Sequence, residues 1–319
     1  MKIGLDVMGG DFAPVSTISG AILALEHLAP KDEIVLIGDQ DKILSELSKH
    51  NVPEGSFRIV HANDVIEMGE HPTRALLKKP QSSISIGFEL LKHKHIEAFT
   101  SAGSSGAMLV GSIYSVNNIH GVIRPCTSAV LPQEAGGISI LLDVGTNPDA
   151  KPDVMYQFGL LGSIMAESVY RINSPRVALL NIGQEEEKGN LSSQAAFHLM
   201  KNSMDFKFIG NIEGRDILRN KADVIVCDGF TGNILLKNIE GMFRIMMKHN
   251  LTDSYFERFN YEQYGGTPIL GINSNVIVGH GISNDIAIKN MILLARDVHE
   301  AKLSHKIKKA LARIPEELF

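Results

Sequence analysis

The sequence holds only two cysteines in 319 residues. Cys126 and Cys227 are far apart and fit no metal-binding or redox spacing, so a reducing compartment is expected. Cys227 falls in an apolar run and reads as a buried, inert thiol. No apolar run approaches the roughly 18 residues a membrane span needs. The opening "MKIGLDVMGGD" reaches Asp6 too soon for a signal peptide, so a cytoplasmic protein is expected. Neither charge sign dominates: the net charge is −5, which gives no global basic field for nucleic acid. Repeats, low-complexity tracts and linkers are missing too. The 44% hydrophobic content suffices for a sizeable core in one large domain or two closely packed ones, and a single α/β domain over 1–319 is expected.

Several catalytic signatures are also missing. Without G-x-x-x-x-G-K-[ST], the chain is not a P-loop nucleotide hydrolase. No G-x-G-x-x-G follows a strand, so the usual dinucleotide fingerprint is lacking. There is no H-E-x-x-H and no compact His/Cys cluster, so no metal site is expected. No G-x-S-x-G elbow supports a serine hydrolase.

What is present is alternation. Short apolar runs predict strands at 2–8, 33–39, 57–62, 96–102, 137–145, 176–183, 206–210, 223–229 and 275–281. Amphipathic segments predict helices at 14–28, 155–172 and 284–303, the first with Asp11 as its N-cap. This βαβα order predicts a mostly parallel sheet with helices on both faces, a Rossmann-like α/β/α sandwich.

One pattern recurs. Strand after strand ends in glycine plus a small polar or acidic residue: "DVMGGD", "SAGSSGA", "DVGTN", "NIGQEEEKGN", "DGFTGN" and "GHGISND". Ligands of open α/β sheets bind beyond the carboxyl ends of the strands. Glycine lets backbone N–H groups approach an anion there, and the next helix directs its positive end to the same place. Tight βα turns need glycine in any case, but six such loops point to a shared anion site. Backbone amides, small hydroxyls, asparagine and a few cations suit anion binding and oxyanion stabilisation better than a covalent enzyme nucleophile.

"LDVMGGDFAP" (5–14), "SAGSSGAML" (101–109), "LLDVGTNPD" (141–149), "LLNIGQEEEKGN" (179–190), "GNIEGRDI" (210–217), "DVIVCDGFTGNILLKNIEG" (223–241) and "YGGTPILGINSNVIVGHGIS" (264–283) carry a resemblance in their order and spacing. The chain resembles the phosphate acyltransferases of bacterial phospholipid synthesis over nearly its whole length. The resemblance implies a fold similar to phosphotransacetylases and isocitrate-type dehydrogenases. It implies that inorganic phosphate attacks the thioester of a long-chain acyl group on acyl carrier protein, with no cofactor, to give acyl phosphate. It further implies a homodimer and a functional link to a membrane glycerol-3-phosphate acyltransferase.

The chain departs from the family at Ser104 and Ser105, where Asn-Thr is usual, and at Gln184 and Thr146. The 241–264 segment is shorter than the apolar, basic insert many relatives use at the membrane surface. Its "MFRIMMKH" is either a short amphipathic membrane contact or a buried or dimer-forming helix.

Each site residue has two readings. Lys188 is a cation for phosphate or the developing oxyanion, or a solvated lysine. Asn233 is a donor to the thioester oxygen or phosphate, or a helix N-cap. Thr231 and Gly232 would add a hydroxyl and an amide. Asp11 and Asp228 would orient a lysine, a histidine or a backbone turn rather than touch phosphate. His280 protonates the departing thiolate or is structural. Ser101, Ser104, Ser105 and Asn147 are lining candidates, with Arg74 and Arg124 as further cations or surface residues. The C-terminal "AKLSHKIKKALARI" (301–314) spaces Lys302, Lys306, Lys309 and Arg313 as a basic ridge for an acidic carrier protein, or as a solvated face. The rival activities are a phosphotransacetylase using short-chain acyl-coenzyme A and a non-catalytic module that binds acyl carrier protein.

Overall fold

The computed structural model describes residues 1–53, 55–251 and 253–313. Thr252 of the shortened segment and Ile314 of the basic stretch lie outside the described residues. The chain expected as one α/β domain divides into two compact units, Met1–Asn118 with Tyr261–Glu300, and Ile119–Asn260 with the chain from Ala301 on.

In chain order, unit 1 contains β1 (Lys2–Asp6), α1 (Val15–Leu25), β2 (Glu33–Gly38), α2 (Gln40–Lys49), β3 (Arg58–His61), α3 (Pro72–Lys78), α4 (Ser83–Lys92), β4 (Ala98–Ser101) and α5 (Ser105–Val116). After the excursion through unit 2 it adds β10 (Thr267–Leu270), β11 (Asn275–Val278) and α9 (Asp285–Glu300). The strands lie in the order β3-β2-β1-β4-β11-β10, all parallel except β10. Val35, Ile37, Phe99, Val276 and Val278 cover one face, with Ile84, Phe88 and Leu91 of α4 and Met108 of α5 packed on them. Helices α1 and α9 pair with each other, and α9 crosses β1, β4 and β11. Each fully buried Ile, Leu or Phe there contributes about 1.5–3 kcal/mol.

Unit 2 contains β5 (Cys126–Pro132), β6 (Ile138–Leu142), α6 (Pro152–Ser168), β7 (Arg176–Asn181), α7 (Leu191–Lys201), β8 (Lys207–Glu213), β9 (Val224–Val226), α8 (Gly229–Lys248) and α10 (Leu303–Leu311). Its order is β5-β6-β9-β7-β8, and only the β5–β6 pair is antiparallel. Leu235 and Ile239 of α8 pack on the face carrying Leu141, Ala178, Ile225 and Cys227. Helix α6 approaches the other face closely, with Gly162 against Val224 and Leu142.

Two helix starts differ from expectation. Asp11 does not cap α1: Pro14 stands at the N-cap without a side-chain hydrogen bond. The Asp11 amide instead donates to the Gly281 carbonyl at 2.7 Å, which holds the residue in the β1 loop, out of reach of the helix. Asn233 is not a cap either. Helix α8 already begins at Gly229, with Asp228 as N-cap. "TGN" therefore lies inside the start of a helix that follows β9 almost without a loop. "MFRIMMKH" is the continuation of the same 20-residue helix. Among the described residues no helix is long and apolar enough to cross a membrane.

Candidate active site

Topology ranks the six glycine-bearing loops. In unit 1 the chain lays β2 and β3 on one side of β1, then returns to place β4 on the other. In unit 2 it lays β8 on one side of β7, then places β9 on the other. Each unit thus has a point where the strand order reverses, and ligands of open α/β sheets bind outside the carboxyl ends of the strands at such points. The loops after β1 and β4 flank one, and those after β7 and β9 flank the other. Asp11, Ser101, Ser104, Ser105 and His280 belong to unit 1. Asn147, Lys188, Asp228, Thr231, Gly232 and Asn233 belong to unit 2.

In unit 1 the loops are organised by Asp6, the last residue of β1, which is 1% exposed. Its Oδ2 accepts from the Ser101 hydroxyl at 2.6 Å and its Oδ1 from the Met8 amide at 3.0 Å. The Ser101 hydroxyl in turn accepts from the Gly103 amide at 2.9 Å. Ser101 is therefore buried and engaged on both sides. A Cβ on Gly9 would fall 2.4 Å from Asp6 Oδ2 and 2.7 Å from Gly103 N, so only glycine lets the two loops touch. Burial pushes the Asp6 carboxyl above its ordinary value, and the hydrogen bonds from Ser101 and Met8 offset this only in part. Ser104 caps α5 by accepting from the Ala107 amide, while Ser105 is exposed. His280 is half-buried, its ring edge-on to Tyr261 with centroids 5.0 Å apart. Asp11 is exposed.

In unit 2 the loop after β7 is tied into a ring. Asn181 Nδ2 donates to the Lys188 carbonyl at 3.0 Å and to Asn211 Oδ1 at 3.2 Å. Asn211 Nδ2 donates to the Glu185 carbonyl, and Gln194 Nε2 to those of Glu187 and Gly189. Gly189, at φ +94°, packs against the Asn181 amide where a Cβ would collide. The backbone of the loop is thus fixed while the Lys188 side chain is exposed, its stem over Gly183. Glu186 in the same loop pairs with Lys201, whereas Lys188 has no ion-pair partner among the described residues.

On the neighbouring strand, Asp228 accepts from the Thr231 amide at 2.7 Å and the Thr231 hydroxyl at 3.1 Å. It braces the first turn of α8. The Gly232 amide donates to the Asp228 carbonyl within the helix, so it is already engaged. What Gly232 supplies is closeness: a Cβ there would lie 1.9 Å from the Asp143 carbonyl oxygen. Asn233 is half-buried, and its Nδ2 donates to the Val144 carbonyl at 3.0 Å. An amide has two N–H hydrogens, and the second has no partner among the described residues.

Asn147 turns inward. Its backbone N and its Nδ2 donate to Asp143 Oδ2 at 2.5 and 3.0 Å, and Nδ2 also reaches the Pro125 carbonyl at 2.8 Å. Arg74 and Arg124 are both exposed. Cys126 and Cys227 are buried, and burial pushes both thiols well above their ordinary value, so neither is a thiolate nucleophile. Among the described residues no group of three His, Cys, Asp or Glu could hold a metal ion. On α10, Leu303, Ile307 and Leu311 face inward while Lys302, Lys306, Lys309 and Arg313 are exposed.

Residues 1–306 match the family model described as "Fatty acid synthesis protein". The phosphate acyltransferase of Pelotomaculum thermopropionicum is 40% identical over 334 aligned positions, covering 98% of this chain and 96% of that one. That of Dictyoglomus turgidum is 37% identical over 335, covering 99% of both. The chain belongs to the phosphate acyltransferase family. It is an acyltransferase enzyme, as the resemblance implied. Among solved structures, a phosphotransacetylase from Streptococcus pyogenes superposes with a TM-score of 0.67 at 14% identity over 94% of each chain, which supports the α/β fold.

In this phosphate acyltransferase, Asp6, Thr127, Asp143, Asn181, Asn211 and Gln194 hold the candidate loops, and residue type alone does not mark them. One signal was there: the tripeptide Leu-Asp-Val ends an apolar strand twice, at 5–7 and 142–144. A charge at the end of a fully buried strand needs hydrogen-bond partners. Asn211 and Gln194 had no comparable signal, because their partners are loop carbonyls that residue type does not mark.

Proposed function

We propose that this phosphate acyltransferase moves a long-chain fatty acyl group from acyl carrier protein to inorganic phosphate, giving acyl phosphate for phosphatidic acid synthesis. One observation carries the reading. Lys188, an exposed cation without an ion-pair partner among the described residues, and Asn233, with an amide hydrogen to spare, follow neighbouring strands at the reversal point of unit 2. A phosphate oxygen attacks the thioester carbonyl carbon. A C–O bond forms while the carbonyl electron pair moves onto oxygen. Lys188 attracts the phosphate or that oxyanion, and the Asn233 amide donates to the oxyanion. The C–S bond then breaks, and the thiolate leaves with its electron pair and takes up a proton. A thiol of pKa about 8.5 leaves without an obligatory acid, so this step asks for no proton donor.

The homodimer, the coupling to a membrane glycerol-3-phosphate acyltransferase and a cytoplasmic location belong to the same proposal, with contact at the inner face of the cell membrane set against a buried or dimer-forming α8. Met242, Ile245 and Met247 of α8 are exposed, and liposome flotation tests whether they meet lipid.

The test is direct. The enzyme is incubated with palmitoyl-acyl carrier protein and inorganic phosphate, and acyl phosphate is trapped with hydroxylamine. Phosphate-dependent palmitoyl hydroxamate is expected. Product from acetyl-coenzyme A alone would make the enzyme a short-chain phosphotransacetylase. Carrier-protein binding without any product would make it a non-catalytic module.

A further inference from the structure

Asp143 stands immediately after β6 and is 0% exposed. No ion pair reaches it among the described residues. A buried carboxylate without a cation is tolerable only when its lone pairs are filled, and here six donors fill them. Oδ1 accepts from the Thr127 amide and hydroxyl, both at 3.2 Å, from the Val144 amide at 2.8 Å and from the Thr146 amide at 3.3 Å. Oδ2 accepts from the backbone amide and the side-chain amide of Asn147. The carboxylate gathers the start of β5 and the β6 loop onto one point.

That point connects to the proposed oxyanion donor by three routes. The Asn147 carbonyl accepts from the Gly229 amide at 2.8 Å, which pins the first residue of α8. The Val144 carbonyl receives Asn233 Nδ2. The Asp143 carbonyl itself lies against Gly232, where no side chain larger than hydrogen fits. Asn233 therefore takes its position from a loop that Asp143 shapes, although no contact between Asp143 and a ligand is implied.

We propose that Asp143 is the positioning residue of the transfer reaction, acting through the Val144–Asn147 loop to aim the Asn233 amide at the developing oxyanion. This rests on the acyl-transfer reading above. Misplacing a reacting group by about 1 Å is enough to lose about a hundredfold in rate. The effect falls on kcat, because the oxyanion exists only beyond the ground state.

The test is a double-mutant cycle between Asp143→Asn and Asn233→Ala, with kcat and KM for phosphate and for the acyl carrier substrate. The Asp143→Asn change keeps the side-chain shape but turns an NH2 toward groups that themselves donate. Each single variant is expected to lose about a hundredfold in kcat, with KM within about threefold. The double variant is expected to be no more than about threefold worse than either, because the second change removes a group already misplaced. Effects that multiply to about ten-thousandfold, or an Asp143→Asn enzyme of full kcat, would overturn the proposal.

Should Asp143→Asn fail to fold by circular dichroism, Thr127→Val replaces it. That change removes one donor to Oδ1 at nearly constant volume. About a tenfold loss of kcat is expected, again absent in the Asn233→Ala background, and independent effects count against the proposal. Failure of the underlying reading looks different: the unmutated enzyme then yields no hydroxamate from palmitoyl-acyl carrier protein.

Discussion

Asp6 and Asp143 occupy the same place in the two units. Each stands between leucine and valine at the carboxyl end of a buried strand, and each organises a glycine-bearing loop. Their surroundings differ. Asp6 accepts from the Ser101 hydroxyl and the Met8 amide, and burial raises its pKa. Asp143 receives six donors from three residues of its own loop and one of β5. What a buried carboxylate costs depends on how many donors surround it, and its effect on the site depends on what else those donors hold.

Replacing each aspartate by leucine is the strongest way to break this comparison. Asp143→Leu strands the Thr127, Val144, Thr146 and Asn147 donors and is expected to destabilise by about 4 kcal/mol in urea unfolding, since each orphaned group costs about 1–3 kcal/mol and loops relax in part. Asp6→Leu strands fewer groups and is expected to cost about 2 kcal/mol. Equal losses would mean that donor number does not set the difference.

Lys188→Ala separates site from scaffold. The side chain is exposed while its loop is tied by Asn181, Asn211 and Gln194. Phosphate-dependent turnover is expected to fall about a hundredfold, with stability unchanged to about 0.5 kcal/mol. Full turnover would remove Lys188 from the site.

Smaller effects come from titration. The raised pKa of Asp6 means that the native state holds its proton where the unfolded chain has released it. Its contribution to stability is fully present below the ordinary value near 3.8 and is lost as pH rises through the folded value. Asp6→Asn should remove that downward slope from the unfolding free energy measured against pH. Asp223 behaves oppositely. Burial alone would raise its pKa, but the bidentate hydrogen bonds and charge of Arg176, at 2.9 and 3.0 Å, outweigh burial and hold it below the ordinary value. Its contribution is present above about 3.8 and is lost as pH falls through the lower folded value. Because the Arg176 side chain is 37% exposed, solvent screens the pair. Arg176→Met is expected to cost about 0.5–1 kcal/mol, vanishing in acid.

Nine strands were legible, most of them because parallel strands buried on both faces read as continuous apolar runs; β3 and β8 are only partly buried. The two strands missed, β5 and β10, are the antiparallel member of each unit. Strand β5 mixes Thr127 and Ser128 among apolar residues, and β10 contains Pro268, so neither shows the parallel signature. Strand ends were read too long wherever the next loop began with valine, methionine or cysteine, as at Val7, Met8 and Cys227. Those residues are also apolar, and Val7 and Cys227 still donate to the Ile37 and Leu142 carbonyls of the neighbouring strands, so the strands fade out there. The start of α8 was misplaced because glycine and threonine suggest a turn, whereas Asp228 caps the helix before them.

The sequence by itself determined the α/β class, the buried thiols and the six glycine-bearing strand ends, because burial and chain stiffness are local properties of residue type. Tertiary structure decided which of those loops flank a reversal of strand order. It also decided that Ser101, Asn147 and Gly232 are engaged inward, while Lys188 is exposed and one hydrogen of Asn233 is left over. Hydrogen bonds between residues far apart in the chain, such as Asn233 to Val144 and Thr127 to Asp143, make that choice. Residue type states what a side chain can donate or accept; only the fold determines what is already taken.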